Sequence, residues 1–139
     1  MSLFILDTDT LSLLERGHVK VSERVLSQSP GEIAISVISV EEQLSGWYTL
    51  LRSVTSPQRL AHAYQRLAET VRFLGGFQIV PLSEVAIAEF EQLKRQKLCV
   101  RGMDLKIAAI AMTSNATVVT RNIRDFGCVP GLAVADWSR

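Results

Sequence analysis

The apolar run Leu3-Phe4-Ile5-Leu6 stops abruptly at the polar cluster Asp7-Thr8-Asp9-Thr10. An unbroken apolar run bounded by polar residues predicts a strand buried on both faces, the habit of a central strand in a parallel sheet. Beyond it, Leu11, Leu13 and Leu14 ahead of Gly17 predict a short helix over 10–16 closed by glycine. Val21, Val25 and Leu26 predict a second short helix over 19–26, and Ser29-Pro30-Gly31 a turn. Ile33-Ala34-Ile35 reads as a short strand ending at Ser36. Ser39-Val40-Glu41-Glu42 has the Ser-x-x-Glu spacing of a capping box, so a helix is expected from there to about position 52, with Val40, Leu44, Trp47 and Leu51 inward.

Ser56-Pro57 is a cap followed by proline at the first helical position, and the helix it opens runs to Leu74 before Gly75-Gly76. A third strand is expected over 77–80, and Ser83 caps a helix extending to 98. Gly102 separates that helix from another carrying Ile107, Ala108, Ile110 and Ala111. A fourth strand is expected over 117–120, then a polar turn, a last short strand over 132–135, and Trp137 at the end. Strands alternate with helices, and no hairpin signal, repeat or low-complexity linker interrupts them. The expectation is an α/β fold, a three-layer α/β/α sandwich with a mainly parallel central sheet, built as one domain over 1–139.

In such a sheet helices cover both faces, and only the loops leaving the strand tips are free to form a crevice. Asp7, Ser36 and Thr120 all stand at strand exits, with Glu42, Asn122 and Asp125 a few residues beyond. Asp104 lies in the first turn of a helix rich in small residues, which can lie close against the sheet and aim its carboxylate at the same rim.

Composition narrows the chemistry. A chain of 139 residues, 47% of them hydrophobic, is long enough for a real core. No apolar run approaches the roughly 18 residues of a membrane span, and there is no basic region followed by an apolar core and cleavage site. A cytoplasmic protein is expected. Cys99 and Cys128 lack metal-ligand spacing and are expected as reduced thiols, and His18 and His62 do not suit a histidine-based triad. With 15 Lys and Arg against 14 Asp and Glu, net charge neither favours nor excludes nucleic acid, and only its distribution can decide.

If Asp7, Glu42, Asp104 and Asp125 converge, a cation must offset their repulsion, and oxygen-only ligands suit Mg²⁺ or Mn²⁺. Such an ion orients a water, lowers its pKa and stabilises charge on a phosphoryl oxygen, so phosphodiester hydrolysis needs no His or Ser nucleophile. Each acid also has a structural reading. Asp7 or Asp9 can cap the first helix, Glu42 can complete the box with Ser39, Asp104 suits a helix dipole, and Asp125 can cap a turn. The basic residues of Lys94-Arg95-Gln96-Lys97, with Arg101, Lys106, Arg121 and Arg124, are either a solvated surface or phosphate-binding charge beside the rim. Met103, Met112, Trp47 and Trp137 read as packing residues.

Taken together, in order and spacing over nearly the whole chain, these motifs resemble the PIN-domain ribonucleases, specifically the VapC-type toxins of bacterial toxin–antitoxin modules. The resemblance rests on Phe4-Ile5-Leu6-Asp7-Thr8-Asp9, and on Ile33-Ala34-Ile35-Ser36 followed by Glu42 and Gly46, where Gln43 replaces the family's usual Leu. It continues through Asp104-Leu105-Lys106-Ile107-Ala108-Ala109, Val118-Val119-Thr120-Arg121-Asn122-Ile123-Arg124-Asp125-Phe126, and Pro130-Gly131-Leu132 with Trp137. It implies metal binding and catalysis by Asp7, Glu42 and Asp104, with Asp125 or Asn122 completing the site, and Mg²⁺ or Mn²⁺ as cofactor. It implies an RNA substrate, with Arg101, Lys106, Arg121 and Arg124 as RNA-binding candidates. Homodimerisation and a cognate antitoxin that covers the crevice are further implications. Two alternatives stay open. Asp7-Thr8-Asp9-Thr10 also resembles the Asp-x-Asp-x-Thr signature of haloacid-dehalogenase-type phosphatases, with Asp7 as nucleophile and Ser36 in their second motif. The other alternative is a non-catalytic PIN-like module that binds RNA or a partner.

Overall fold

The computed structural model describes residues 2–139. Five strands, β1 (Phe4–Leu6), β2 (Ile33–Ser36), β3 (Gln78–Val80), β4 (Thr117–Val119) and β5 (Ala133–Ala135), form one sheet in the order β3-β2-β1-β4-β5. Every pairing is parallel, with Ile5 opposite Ala34 on one side and Val118 on the other. The N-terminal strand is therefore the central one, as its unbroken apolar run requires. The helices are α1 (Thr8–Glu15), α2 (Val19–Leu26), α3 (Val37–Ser53), α4 (Pro57–Leu74), α5 (Glu84–Arg95), α6 (Gly102–Thr113) and α7 (Ile123–Phe126).

Because strand side chains alternate between faces, the core divides in two. Ile5, Ala34 and Val118 face a cluster with Leu93, Leu105, Ile107, Ala108 and Phe126. Leu6, Ile35 and Val119 face the other way, towards Leu11, Leu74 and Trp137, with Val40 and Leu44 packed on that cluster. This is the expected three-layer sandwich. Helix α6 is buried almost all round, and the absence of side-chain bulk at Ala108, Ala109 and Ala111 lets it lie directly on the sheet. Trp47 is half-buried and donates through Nε1 to Thr70 Oγ1 at 2.9 Å, tying α3 to α4. Among the described residues, no helix is long and apolar enough to cross a membrane.

Several boundaries differ from the sequence expectation for identifiable reasons. Helix α1 begins at Thr8 because Asp7 itself is the N-cap, accepting from the Thr10 N–H. Helix α3 begins one turn early because Ser36, and not Ser39, supplies the cap. No capping box therefore joins Ser39 to Glu42 at the helix start, and Ser39 is buried inside the first turn. Helix α5 ends at Arg95 and not at 98, because Lys97 takes a left-handed backbone at φ 53°. The polar turn after β4 holds a one-turn helix, α7, capped by Asn122. A Cβ at Gly127 would lie 2.5 Å from the Ile123 carbonyl oxygen, so only glycine lets the chain leave that turn so tightly.

Candidate active site

All strands run the same way, so their carboxyl ends share one edge, and a pocket of about 430 Å³ opens there. It is lined by Asp7, Thr8, Asp9, Arg101, Asp104, Arg121 and Asn122. Asp7 arrives on the tip of β1, and its N–H still donates to the Val119 carbonyl at 3.0 Å, so its backbone is fixed by the sheet. Its Oδ1 accepts from the Thr10 N–H at 2.8 Å. The structural and functional readings of Asp7 are thus compatible: one oxygen caps α1 while the residue lines the pocket. Burial pushes the Asp7 carboxyl above its ordinary pKa, hydrogen bonds from Thr120 and Thr10 oppose that shift, and the nearby Asp9 charge adds to it.

Asp104 sits in the first turn of α6, only 7% exposed, and is the second buried carboxylate in the pocket. Arg101 Nε and Nη2 reach its two oxygens at 3.3 and 3.4 Å. That hydrogen-bonded pairing, reinforced by the Asp104 charge, raises the Arg101 pKa, and Glu42 and Asp125 contribute smaller attractions. Arg101 is therefore the counter-ion of Asp104.

Glu42 does not line the pocket directly. Its Oε1 accepts from Thr8 Oγ1 at 2.6 Å, and Thr8 Oγ1 shares a further 2.9 Å hydrogen bond with the Ser39 hydroxyl. Asp125 is also set back: Asn122 Nδ2 donates to its Oδ2 at 2.9 Å, and the Asp125 N–H donates to Asn122 Oδ1 at 3.3 Å. Asn122, not Asp125, reaches the pocket. Asp9 and Arg121 form a two-pronged pair at 2.7 and 2.9 Å on the rim. Lys106 lies away from this pocket, with Nζ 5.7 Å from the centroid of the Phe90 ring, and Arg124 does not line the pocket.

Sequence reasoning did not single out Thr8 or Thr120 for a role at the site. Thr120 is fully buried, lies close enough to Asp7 to favour its charged form, and accepts from the Asn122 N–H at 2.8 Å. The signal for both was position: each lies within two residues of the end of a strand whose exit carries a candidate acid.

The donor chemistry fits a hard divalent cation, since Asp7 and Asp104 present buried carboxylate oxygens and desolvation of Asp7 leaves its charge in want of a counterion. Among the described residues no three Asp, Glu, His or Cys side chains are gathered closely enough to hold an ion as they stand. Each of the other expected acids has a protein partner instead: Arg101 pairs with Asp104, Thr8 holds Glu42, and Asn122 holds Asp125. Arg101 is 71% exposed along its side chain, so releasing Asp104 requires no change in the core.

A fully parallel sheet with two buried carboxylates and two arginines at its carboxyl edge defines an α/β protein with a charged crevice at its strand tips. The chain belongs to the PIN domain family, which it matches over residues 4–130. It is 26% identical over 139 residues to Ribonuclease VapC1 of Haemophilus influenzae strain R2866, with 99% of each chain covered. Its fold is similar to DNA-bound VapBC from Salmonella typhimurium, at a TM-score of 0.78 and 25% identity over 99% of each chain. It is also similar to VapBC2 from Rickettsia felis bound to a promoter DNA fragment, at a TM-score of 0.76 and 25% identity over 97% of this chain and 98% of that one.

Proposed function

We propose that this chain is a VapC-type toxin, a divalent-metal-dependent endoribonuclease that acts in the cytoplasm as a single catalytic domain and is neutralised by a cognate antitoxin. The observation that carries this reading is the meeting of Asp7 and Asp104, far apart in the sequence, in one pocket at the sheet's carboxyl edge. Asp7 and Asp104 would hold Mg²⁺ or Mn²⁺, with Glu42 and Asp125 or Asn122 at its flank. When bound, the ion supplies Lewis acidity and an activated water. The protein's own residues do the rest. Thr8 fixes the Glu42 carboxylate, Thr120 and Thr10 fix Asp7, and Arg101 and Arg121 present guanidinium groups that match phosphate geometry.

The phosphatase alternative loses its footing in the same residues. Ser36, which would have to bind phosphate, is fully buried and accepts from the Ser39 N–H as the α3 cap. The threonine of that signature would fall at position 11, where the chain has the core residue Leu11. The non-catalytic module is disfavoured by the retention of the acids.

The deciding experiment incubates the purified protein with single-stranded and structured RNA, with Mg²⁺ or Mn²⁺ and after chelation. Cleavage that needs the cation and disappears in Asp104→Asn supports the reading, and cleavage unchanged in chelator overturns it. A partner test accompanies it: co-expression with the product of the adjacent reading frame should give a stoichiometric complex with suppressed cleavage. Homodimerisation, for which exposed Leu50, Tyr64 and Val71 on α3 and α4 offer apolar surface, is read by sedimentation.

A further inference from the structure

A second groove lies beside the first, between α5 and the start of α6, with a volume of about 550 Å³. Its floor is apolar, made by Phe90, Leu98, Val100 and Met103, and its rim carries Lys94, Lys97, Arg101 and Lys106 without an acidic residue in the lining. Arg101 lines both this groove and the acid pocket, so the two are joined at one side chain. Lys94 and Lys106 lean over the Phe90 ring, their Nζ atoms 5.3 and 5.7 Å from its centroid. Their long stems lie along apolar surface while the charged ends stay in water, so the lysines can swing to an anion and open the ring beneath them.

Lys97 is the unusual residue of the rim. It occupies the left-handed position just past the end of α5, at φ 53°, where glycine is the residue of lowest strain. The fold is served better by glycine there, yet the chain places a long cation, and the reversal at Lys97 returns it to the groove.

We propose that this groove is a subsite for single-stranded RNA, holding the nucleotide next to the scissile phosphate, with a base on the apolar floor and the neighbouring phosphates between Lys94, Lys97 and Lys106. Three lysines, an arginine shared with Asp104, no lining acid and an apolar platform match the chemistry of a single strand, whose bases are free to lie on apolar surface while its backbone meets charge. Continuity through Arg101 supplies the path from the acid pocket. The proposal rests on the ribonuclease reading and adds to it where the strand goes.

The test measures binding of a fluorescently labelled single-stranded oligoribonucleotide in chelator, across a salt series, alongside cleavage with Mn²⁺. Lys94→Gln/Lys97→Gln should bind about tenfold more weakly at 0.1 M salt, with the salt slope reduced by about 0.7 for each cation removed. Cleavage by this variant should show raised KM with kcat little changed. Lys97→Gly should weaken RNA binding while raising the melting temperature, a combination that general damage to the fold does not produce. Unchanged affinity and slope in both variants overturn the proposal while leaving the nuclease intact. Loss of antitoxin capture without loss of RNA binding overturns it in favour of a protein partner. A wild-type protein that neither binds nor cuts RNA fails the ribonuclease reading itself, and the groove falls with it.

Discussion

Thr8 Oγ1 donates to Glu42 Oε1 at 2.6 Å, joining the first residue of α1 to the second turn of α3. The link holds a carboxylate that is otherwise free to rotate into water. Thr8→Val keeps the shape and removes the donor, so Glu42 should lose its fixed position and cleavage should fall by about 10–100-fold, as for other residues that orient a ligand. Glu42→Gln tests the acid itself: its amide oxygen still accepts from Thr8 but ligates a hard cation poorly. Assays of both variants at saturating Mn²⁺ separate the roles, and a fully active Glu42→Gln protein removes Glu42 from the site.

If Asp104 is a metal ligand, Arg101 and a divalent ion compete for it. Arg101→Met is expected to tighten Mn²⁺ binding by about 2–5-fold, the range set by a largely exposed ion pair. RNA affinity should fall in the same variant. Calorimetric titration with Mn²⁺ reads the first effect without any turnover. Weaker Mn²⁺ binding in Arg101→Met would show that the arginine supports the ligand and does not oppose the ion.

The raised pKa of Asp7 makes the metal-free protein sensitive to pH in a defined direction. Burial, the leading cause, means that the folded state binds the Asp7 proton more tightly than the unfolded state, whose value is near 3.8. The penalty is absent below the unfolded value, grows as pH rises through the raised folded value, and is complete above it. Asp7→Asn retains a capping oxygen and removes that penalty. In chelator it should therefore be more stable than wild type at about pH 7 and no more stable at about pH 3, while cleavage is lost. Urea unfolding at the two pH values checks this, and a variant less stable at neutral pH would assign the Asp7 charge a structural role.

Asn122 and Asp125 divide the fourth position between capping and approach to the pocket. Asn122→Ala removes the α7 cap and should cost about 0.5–2 kcal/mol of stability. Asp125→Asn keeps a partner for Asn122, so a drop in its activity without a drop in stability assigns Asp125 to the site. An unaffected Asp125→Asn reduces the set of acids to Asp7, Glu42 and Asp104.

The central strand, the alternation of strands and helices, and the rim positions of Asp7 and Asp104 were legible because each is a local pattern with a single geometric outcome. Leu3-Phe4-Ile5-Leu6 can be buried on both faces only near the middle of a sheet, and the alanines of α6 suit only a close-lying helix. The α3 start was misplaced because Ser36 and Ser39 are both competent caps, and the choice depends on where β2 stops pairing with β3. The ties from Thr8 to Glu42 and from Arg121 to Asp9 were beyond a linear reading, since they join segments that meet only after the sheet has formed. The left-handed backbone at Lys97 carries no sequence signal, because glycine is the residue that would have announced it.

The order β3-β2-β1-β4-β5 also has a consequence for the cell that makes this protein. The strand synthesised first must wait for β4, whose residues begin at Thr117, before its second edge is paired. Asp7 emerges from the ribosome well before Asp104 and Asn122, and parallel pairing across such separations is slow to form. A nascent or prematurely terminated chain therefore carries half a pocket. Synthesis itself delays the appearance of the assembled site until β4 and the turn that follows it have been made.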